Sequence, residues 1–330
     1  MAEIYGRASK IKRYYWRELL KRELELYGEW AIAHGANPLI PTDEAAKIAR
    51  KQASEQALEE IKQLHETAPK YAFATEPSQA DLISECDVEV VALNATYIRD
   101  PAVRRVQVRL DDQAVGVEDY VQLHYRKQGY ECISVESVPF HVLFGVYLWL
   151  VIQDPDDARV QICGFGDRRA FDNGEAGEMI WCQKPDDFGT PEYAKRRREA
   201  IDQHFVEILT SDEIDWLFEY WLEPSERLRQ YLWAHRDADV QTAKELTNIL
   251  PPVVLFRILR YLVDSYWERY LGWPDLLMYR DDEFFFAEVK SSNDKLSNDQ
   301  KRWIRDNHEL LKLPFKLVKI HKSDEIDATA

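Results

Sequence analysis

Two apolar runs near one another constrain the fold of this chain most. Residues 273–279 have the sequence WPDLLMY and residues 284–290 have the sequence FFFAEVK, with polar residues 280–283 between them. Two short apolar and aromatic runs joined by a short polar link predict a β-hairpin. Pro274 fits only the edge or the start of the first strand, because proline donates no ladder hydrogen bond.

The hairpin also gathers charged side chains. Alternate side chains of a strand point to opposite faces, so Glu288 and Lys290 share one face while Val289 points into the core. When the two strands pair, Asp275 comes near Glu288 at one end of the hairpin. Two carboxylates and an ammonium group held close together are costly unless something neutralises the carboxylates. A hard divalent cation, Mg²⁺ or Mn²⁺, does so through oxygen ligands.

These residues have the chemistry of metal-assisted phosphodiester hydrolysis. A water beside a divalent ion becomes a nucleophile when it loses a proton. Lys290 would orient that water or stabilise the charge that builds on a phosphate. A Pro-Asp pair or a Glu-x-Lys triplet alone favours an ordinary hairpin with a surface ion pair. Both together on one hairpin, followed by a helix, favour the metal site.

The segment after the hairpin predicts a helix and then a strand. Residues 297–300, SNDQ, match a capping box, in which the first and fourth residues cap the helix reciprocally. Gln300 would hold Lys290 or a phosphate, or it would serve only as a cap. Helical spacing relates four apolar residues that follow: Trp303, Ile304, Leu310 and Leu311. Residues 315–321 then predict another strand.

These motifs resemble the VRR-NUC branch of the PD-(D/E)XK nuclease superfamily. That family has Pro-Asp-Leu, Glu-Val-Lys, a short Asn-Asp-x-Leu-Ser linker and Gln-x-x-Trp in this order, and all are present here. The resemblance implies an α/β fold with a restriction-endonuclease-like core, a mixed sheet flanked by helices. It implies metal ligands at Asp275, Glu288 and the main-chain carbonyl of Val289, with Lys290 activating or positioning water.

A further acidic ligand is expected upstream of the hairpin. Residues 117–128 predict a helix, and a second helix begins near Pro139, because proline is favoured in a first helical turn. Glu136 lies at or just before that start, where it is a simple capping acid or a metal ligand. The segment resembles the Fanconi-associated nucleases, in which a helix with a pattern like LHYRKQG precedes a Glu and an apolar helix. The family Glu often has Gly neighbours, whereas this chain has Val135 and Ser137.

The long connection between Glu136 and Asp275 predicts an insertion, mostly helical, over about residues 153–250. The expected helices in and after it span 193–209, 211–221, 226–235, 239–250 and 252–270. Fanconi-associated nucleases carry inserted helices and a stretch like PDDFGTPEYAKRRREAIDQHF. In small stand-alone VRR-NUC proteins the core pairs into dimers, whereas inserted helices occupy that surface in larger relatives. The resemblance, which covers about residues 100–322, therefore implies a monomer.

The first part of the chain is harder to interpret. We expect residues 1–112 to form a mostly helical N-terminal region, which is a candidate DNA-positioning module, and residues 113–330 to form the nuclease domain. Within the N-terminal region the patterns predict helices over 9–34 and 42–65 and strands over 88–93 and 104–110.

The charge distribution allows local DNA contact despite a net charge of −16. Residues 7–22 hold seven Lys or Arg and one Glu, and residues 288–322 hold nine Lys or Arg against five acids. A local basic surface of this kind can bind phosphates without reading base sequence. The candidate DNA contacts are Lys295, Gln300, Lys301, Arg302, Arg305, Lys10, Lys12 and Arg13.

The four cysteines have no zinc-like spacing and suit a reducing cytoplasm as free thiols. No N-terminal segment combines a basic start with an apolar core, so we expect no secretion signal. The apolar run from Phe140 to Ile152 is shorter than the roughly 20 residues of a membrane span. We expect a cytoplasmic protein associated with the nucleoid.

The predicted function is a structure-selective DNA nuclease that depends on a divalent metal. The family resemblance implies 5′ flap endonuclease and 5′-to-3′ exonuclease activity on branched or flapped DNA, as in interstrand-crosslink repair. One alternative is a dimeric Holliday-junction resolvase or restriction-type nuclease. The others are a non-catalytic DNA-binding module on the same fold and a helical scaffold protein.

Overall fold

The computed structural model describes two compact units. The described residues are 13–38, 41–67, 78–98, 106–111, 113–209, 214–281 and 283–323. The first unit ends at Pro77 and the second begins at Ser78.

The first unit is built on two helices. Helix α1 spans Arg13–Ala33 and helix α2 spans Glu44–Thr67. Their shared core places small side chains around one tyrosine: Tyr27, Ala31, Ala46, Ala49 and Ala53. Small side chains at a helix contact allow a short interaxial distance. Within the described residues, these helices confirm the helical patterns at 9–34 and 42–65.

A five-stranded mixed sheet lies at the centre of the second unit. In spatial order its strands are β1 (Glu89–Ala95), β10 (Phe315–Lys322), β9 (Glu283–Lys290), β8 (Leu276–Arg280) and β5 (Glu131–Ser134). Strands β1, β10 and β9 are parallel, whereas β8 and β5 pair antiparallel. The predicted hairpin is confirmed as β8 and β9, and the predicted last strand is confirmed as β10.

Helices cover both faces of this sheet. Those that precede the insertion are α3 (Gln79–Glu85), α4 (Val117–Arg126) and α5 (Val138–Ile152). On one face, Leu277 and Phe286 join a large apolar core with α5. On the other face, Met278 and Val289 join a smaller core with α4. The alternation of side chains along β8 and β9 therefore divides the cores, and the predicted inward orientation of Val289 is confirmed.

The second unit begins earlier than the boundary expected at residue 112. Strand β1 pairs in parallel with β10, so residues 89–95 belong to the central sheet. A small antiparallel sheet follows, made of β2 (Tyr97–Ile98), β3 (Gln107–Leu110) and β4 (Gln113–Gly116). A parallel partner comes from a distant part of the chain, so local pattern shows that β1 is a strand but not where it pairs.

The insertion consists of helices and one β-hairpin, and the sequence analysis did not predict this hairpin. Strands β6 (Val160–Gly166) and β7 (Met179–Pro185) pair antiparallel as a separate two-stranded sheet. The helices of the insertion and of the segment after it are α6 (Arg168–Asp172), α7 (Pro191–Arg196), α8 (Arg198–Leu209), α9 (Ile214–Leu222), α10 (Glu226–Tyr231), α11 (Asp237–Ile249), α12 (Pro252–Asp264) and α13 (Tyr266–Arg269). Helix α14 (Asn298–Asp306) and a π-helical turn at Asn307–Leu311 follow the central hairpin.

Two expected helices are broken, and one is shorter than expected. The helix predicted over 193–209 is interrupted at Arg197, and the one predicted over 252–270 is interrupted at Ser265, whose φ of −163° is extended. The helix predicted over 226–235 ends at Tyr231. Apolar spacing does not reveal a single non-helical residue between two helices of similar pattern. Among the described helices, none has both the length and the apolarity of a membrane-spanning segment.

The contact between α5 and α10 gives a prediction about stability. A Cβ on Gly145 would lie 2.7 Å from Cγ and 3.7 Å from Cα of Arg229. Arg229 is buried and donates to Ser225 Oγ and to the Leu222 carbonyl, so it cannot move aside freely. Gly145→Ala should lower the free energy of unfolding by about 1–3 kcal/mol in urea denaturation, although alanine favours helix. Gly166→Ala is the control, because no atom lies within 4 Å of its Cβ position; equal stability of the two variants would contradict the prediction.

Candidate active site

The candidate site lies where β8 begins and β9 ends. Asp275 immediately precedes β8, and the β8–β9 register places it beside Glu288. The main-chain N–H of Val289 donates to Asp275 Oδ2 at 2.8 Å. This hydrogen bond holds the Asp275 side chain at the end of the hairpin, and the predicted position of Asp275 near Glu288 agrees with the strand register.

The Glu288 carboxyl group depends on partners that the protein supplies, because the residue is only 2% exposed. Lys290 Nζ lies 2.6 Å from Glu288 Oε1, and Gln300 Nε2 donates to the same oxygen at 2.5 Å. Gln300 also completes the capping box of α14, where its Oε1 accepts from the Ser297 N–H at 2.9 Å. Gln300 is therefore a cap residue that also contacts the site, through Glu288 rather than through Lys290.

Burial raises the pKa values of both carboxyl groups. For Glu288, burial is the largest cause and the Asp275 carboxylate the next, and they raise its pKa to about 8 against the effect of Lys290. Burial also raises the pKa of Asp275, although the Val289 N–H and Lys290 lower it. The Glu288 carboxyl group therefore keeps its proton to higher pH than an exposed glutamate does.

Strand β5 brings Glu136 to the same end of the sheet. Ser134 pairs with Leu276, and the next N–H, that of Val135, donates to the Asp275 carbonyl at 3.0 Å. Glu136 follows directly, and its carboxylate contributes to the raised pKa of Asp275. The expectation that a third acid approaches from this upstream segment agrees with this position.

The backbone of Glu136 is strained. Its φ of 40° lies in the left-handed region, which costs a residue with a side chain roughly 1–2 kcal/mol. Buried Val135 precedes it, and Pro139 in the first turn of α5 follows it. Glycine would fit this turn without strain, so the chain retains a carboxylate here at a cost in stability.

Stacked aromatic rings join the segments that carry these side chains. Trp273 is buried and stacks on Phe140 with ring centroids 4.1 Å apart. On another side it contacts Trp303, with centroids 5.8 Å apart. Phe140 lies in α5, just after Glu136, and Trp303 lies in α14, in the same turn as Gln300. The buried Trp273 indole, in the segment that carries Asp275, therefore packs against the segments that carry Glu136 and Gln300.

The donor set fits a hard divalent cation. Asp275, Glu288 and Glu136 offer carboxylate oxygens, the ligands that Mg²⁺ and Mn²⁺ prefer. The N–H and C=O of one residue point to the same side of a strand, so the Val289 carbonyl faces the Asp275 side as well. In the part of the chain that the structure describes, no group of three or more His, Cys, Asp or Glu side chains is placed to hold a metal ion. A buried carboxyl group with a raised pKa, such as that of Glu288, suits a cation that would displace its proton on binding.

The residues predicted to contact DNA lie mostly in the loop after β9 and on α14. Lys295 is exposed in the loop, while Lys301 and Arg305 lie one turn apart on α14 and are partly exposed. Arg302 is engaged by Asp299, whose Oδ1 lies 2.8 Å from its Nη1. The other predicted contacts lie outside the residues whose side chains the structure describes: Lys10, Lys12 and Arg13.

The insertion supplies charged groups near the site that the sequence did not single out. Burial raises the pKa of Asp239, in the first turn of α11, and the nearby Glu136 carboxylate raises it further. His235 Nε2 lies 3.0 Å from Asp172 Oδ2 just before the same helix. Helical periodicity indicates which side chains face inward, but it does not indicate which other segment they meet.

The fold and the site together define a class of protein. A Pro-Asp segment before one strand and Glu-x-Lys at the end of its antiparallel neighbour, on a mixed sheet between helices, form a PD-(D/E)XK-type α/β core. Residues 210–315 match the model of the VRR-NUC domain family. This segment of the chain is therefore similar to the VRR-NUC domain family, in agreement with the resemblance of its motifs. The matched segment includes Asp275, Glu288 and Lys290, whereas Glu136 lies upstream of it.

Several curated relatives are similar to more than half of the chain. Fanconi-associated nuclease 1 of Homo sapiens is 28% identical over 203 residues, which are 59% of this chain and 18% of the relative. The homolog of Caenorhabditis elegans is 25% identical over 208 residues, covering 59% of this chain and 22% of that protein. The homolog of Caenorhabditis briggsae is 23% identical over 241 residues, covering 71% and 22%. The chain thus spans about a fifth of the length of these relatives.

A solved structure is also similar, the crystal structure of paFAN1 bound to 2nt 5′flap DNA with gap. The alignment covers 92% of this chain and 47% of that chain, with a TM-score of 0.48 and 16% sequence identity. The structure of paFAN1 bound to 1nt 5′flap DNA with gap aligns over 92% of this chain and 46% of that chain, also with a TM-score of 0.48.

The strain at Glu136 predicts that glycine at this position stabilises the fold. Glu136→Gly should raise the free energy of unfolding by about 1 kcal/mol, because glycine adopts a positive φ without a Cβ clash. Glu178→Gly is the matched control, since Glu178 is exposed and has a negative φ; it should lose about 0.5–1 kcal/mol. Urea denaturation of both variants measures the difference. A Glu136→Gly protein less stable than the wild type would show that the carboxylate stabilises the fold.

The carboxyl pair predicts how the stability of the metal-free protein depends on pH. Folding raises the pKa of Glu288 from 4.5 to about 8. Between these two pH values the folded state binds more protons than the unfolded state. The contribution of Glu288 to the free energy of unfolding is therefore complete below pH 4.5 and is lost as the pH rises to about 8. Glu288→Gln stays neutral, so its stability relative to the wild type should grow with pH, by on the order of a few kcal/mol. Urea denaturation with a chelator at several pH values measures this, and a difference independent of pH would contradict it.

Proposed function

We propose that this chain is a structure-selective DNA nuclease that depends on a divalent metal and hydrolyses phosphodiester bonds. The observation that supports this most is the convergence of Asp275, Glu288 and Lys290 at one end of the β8–β9 hairpin. The VRR-NUC match covers these same residues, and the similar curated relatives are nucleases by name.

The proposed ion is Mg²⁺ or Mn²⁺, held by Asp275, Glu288, Glu136 and the main-chain carbonyl of Val289. When bound, such an ion supplies an acidified water and offsets charge on the scissile phosphate. The protein orients its own ligands, because the Val289 N–H holds Asp275 and the Gln300 amide holds Glu288. Lys290, 2.6 Å from Glu288, positions the attacking water and offsets the charge that develops on the phosphate.

The proposed substrate is branched or flapped DNA, by similarity to the Fanconi-associated nucleases. We assign 5′ flap endonuclease and 5′-to-3′ exonuclease activity, with a role in DNA repair such as interstrand-crosslink repair. Exposed Lys295, together with Lys301 and Arg305 on α14, would contact phosphates and fix the position of the DNA without reading its sequence. The net charge of −16 would repel DNA from other surfaces.

We propose a monomer, in line with the inserted helices. Helices α9, α10, α11 and α12 pack on α5, so the insertion shares a core with the nuclease fold. The rival is a dimeric Holliday-junction resolvase or restriction-type nuclease, and light scattering of the free protein distinguishes the two. A location in the cytoplasm, with the nucleoid, stays a prediction.

End-labelled DNA structures test the proposed reaction. A panel of 5′ flap, 3′ flap, gapped, single-stranded and four-way-junction DNA would be incubated with Mg²⁺ or Mn²⁺. We expect cleavage of the 5′ flap in preference to the rest. Glu288→Ala should reduce the rate at least about 100-fold, because loss of several kcal/mol of transition-state stabilisation corresponds to two or more factors of ten.

Glu283→Ala is the matched control, since Glu283 lies on the same strand but is exposed at its far end. It should cleave within about twofold of the wild type, on the order of the spread expected for surface changes. Equal cleavage by Glu288→Ala and the wild type would remove the assignment. DNA binding without cleavage in either metal would favour a non-catalytic DNA-binding module, and protein binding indifferent to metal would favour a helical scaffold.

A further inference from the structure

The loop that follows Lys290 links the two side chains that contact Glu288. Residues 291–297 connect Lys290 at the end of β9 to α14, which carries Gln300. Ser291 closes the first turn of this loop, because its N–H and Oγ donate to Asp294 Oδ2 at 3.2 and 2.5 Å. The path of the loop therefore influences where both partners of Glu288 lie.

Tyr97 of β2 holds this loop from a distant part of the chain. Its hydroxyl accepts a hydrogen bond from the Ser292 N–H at 2.9 Å and donates one to the Ile320 carbonyl at 2.7 Å. The last pair of the β9–β10 ladder joins Lys290 to Lys319. In a continued parallel ladder, the Ser292 N–H would reach this same Ile320 carbonyl directly. The tyrosine hydroxyl thus stands in place of the next ladder bond, and the two strands separate just beyond Lys290.

A second contact from the same region holds the far end of the loop. Gln79, at the start of α3, accepts a hydrogen bond from the Leu296 N–H at its Oε1, at 3.1 Å. Leu296 is buried in the large core beside α5. Tyr97 and Gln79 both lie outside residues 210–315, the segment that matches the VRR-NUC family model.

We propose that Tyr97 is a positioning residue for Lys290. Its hydroxyl joins the two chain segments where the β9–β10 ladder ends, just after Lys290, and so fixes the loop path that holds the ammonium group against the Glu288 carboxyl. Tyr97 does not touch the reacting atoms in this role. This assignment rests on the proposed nuclease function, because it concerns the site that carries the reaction.

Tyr97→Phe tests the assignment, because it removes only the hydroxyl bridge and keeps the ring. We expect the single-turnover cleavage rate at saturating flap DNA to fall about tenfold, on the order of 1.4 kcal/mol. The DNA concentration that gives half the maximal rate should change by less than about twofold, since the loop is held for chemistry and not for DNA affinity. Gln79→Ala should also lower the cleavage rate, because it removes the hydrogen bond to the Leu296 N–H at the other end of the loop.

Tyr120→Phe is the matched control. Its hydroxyl also donates to a main-chain carbonyl of the same region, that of Asn94, at 2.9 Å, but it does not contact the loop after Lys290 in the described structure. Both tyrosine variants should lose similar stability, and only Tyr97→Phe should lose rate. A normal rate for Tyr97→Phe, an equal loss in Tyr120→Phe, or a loss confined to DNA half-saturation would overturn the assignment.

Lys290→Ala separates this inference from the proposed function. Severe loss in Lys290→Ala beside a normal rate in Tyr97→Phe refutes only the role of Tyr97. A wild-type protein that cleaves no DNA, or a Lys290→Ala variant that cleaves normally, refutes the proposed function and the assignment with it. Tenfold loss in Tyr97→Phe that is absent when Lys290 is already alanine supports the coupling of the two residues.

Discussion

The burial of one carboxyl group is the constraint on which the site depends. Glu288 is almost without solvent contact, so every partner of its carboxyl group must come from the protein. Lys290 and Gln300 approach one oxygen of this group, and the neighbouring Asp275 carboxylate raises its pKa. Two neighbouring buried carboxyl groups are a poor way to stabilise a fold and a suitable way to receive a cation.

Aromatic packing away from the carboxyl groups fixes the relative positions of the chain segments that carry them. Trp273 lies between Phe140 and Trp303, so the helices before and after the hairpin are placed by the same ring. Gly272 allows the close approach that this requires, since a Cβ there would lie 2.3 Å from the Asp299 carbonyl oxygen and its φ is 90°. The main chain at Gly272, just before Asp275, therefore lies against the main chain at the start of α14. Rigid support of this kind holds functional side chains in one geometry.

The accuracy of the sequence-based predictions follows the range of the interactions concerned. The β8–β9 hairpin and the capping box at Ser297 depend on neighbours within about a dozen residues, and both are found as predicted. The parallel pairing of β1 with β10 and the β6–β7 hairpin were not predicted. The domain boundary expected at residue 112 differs from the division between the two compact units, which falls after Pro77. Pairing between distant strands is decided by which faces pack together, which local periodicity does not encode.

The sequence by itself determined where the charged residues of the candidate site lie within their elements: Asp275 ahead of one strand, Glu288 and Lys290 on one face of the next, and an acid at position 136 before an apolar helix. Residue type and alternation suffice for that, because they act within single elements. Only the tertiary structure decided that Glu136 occupies a left-handed turn beside the Asp275 main chain, and that Tyr97 bridges the strands beyond Lys290. These contacts join residues far apart in the chain, and their hydrogen bonds form only after the core has brought the segments together.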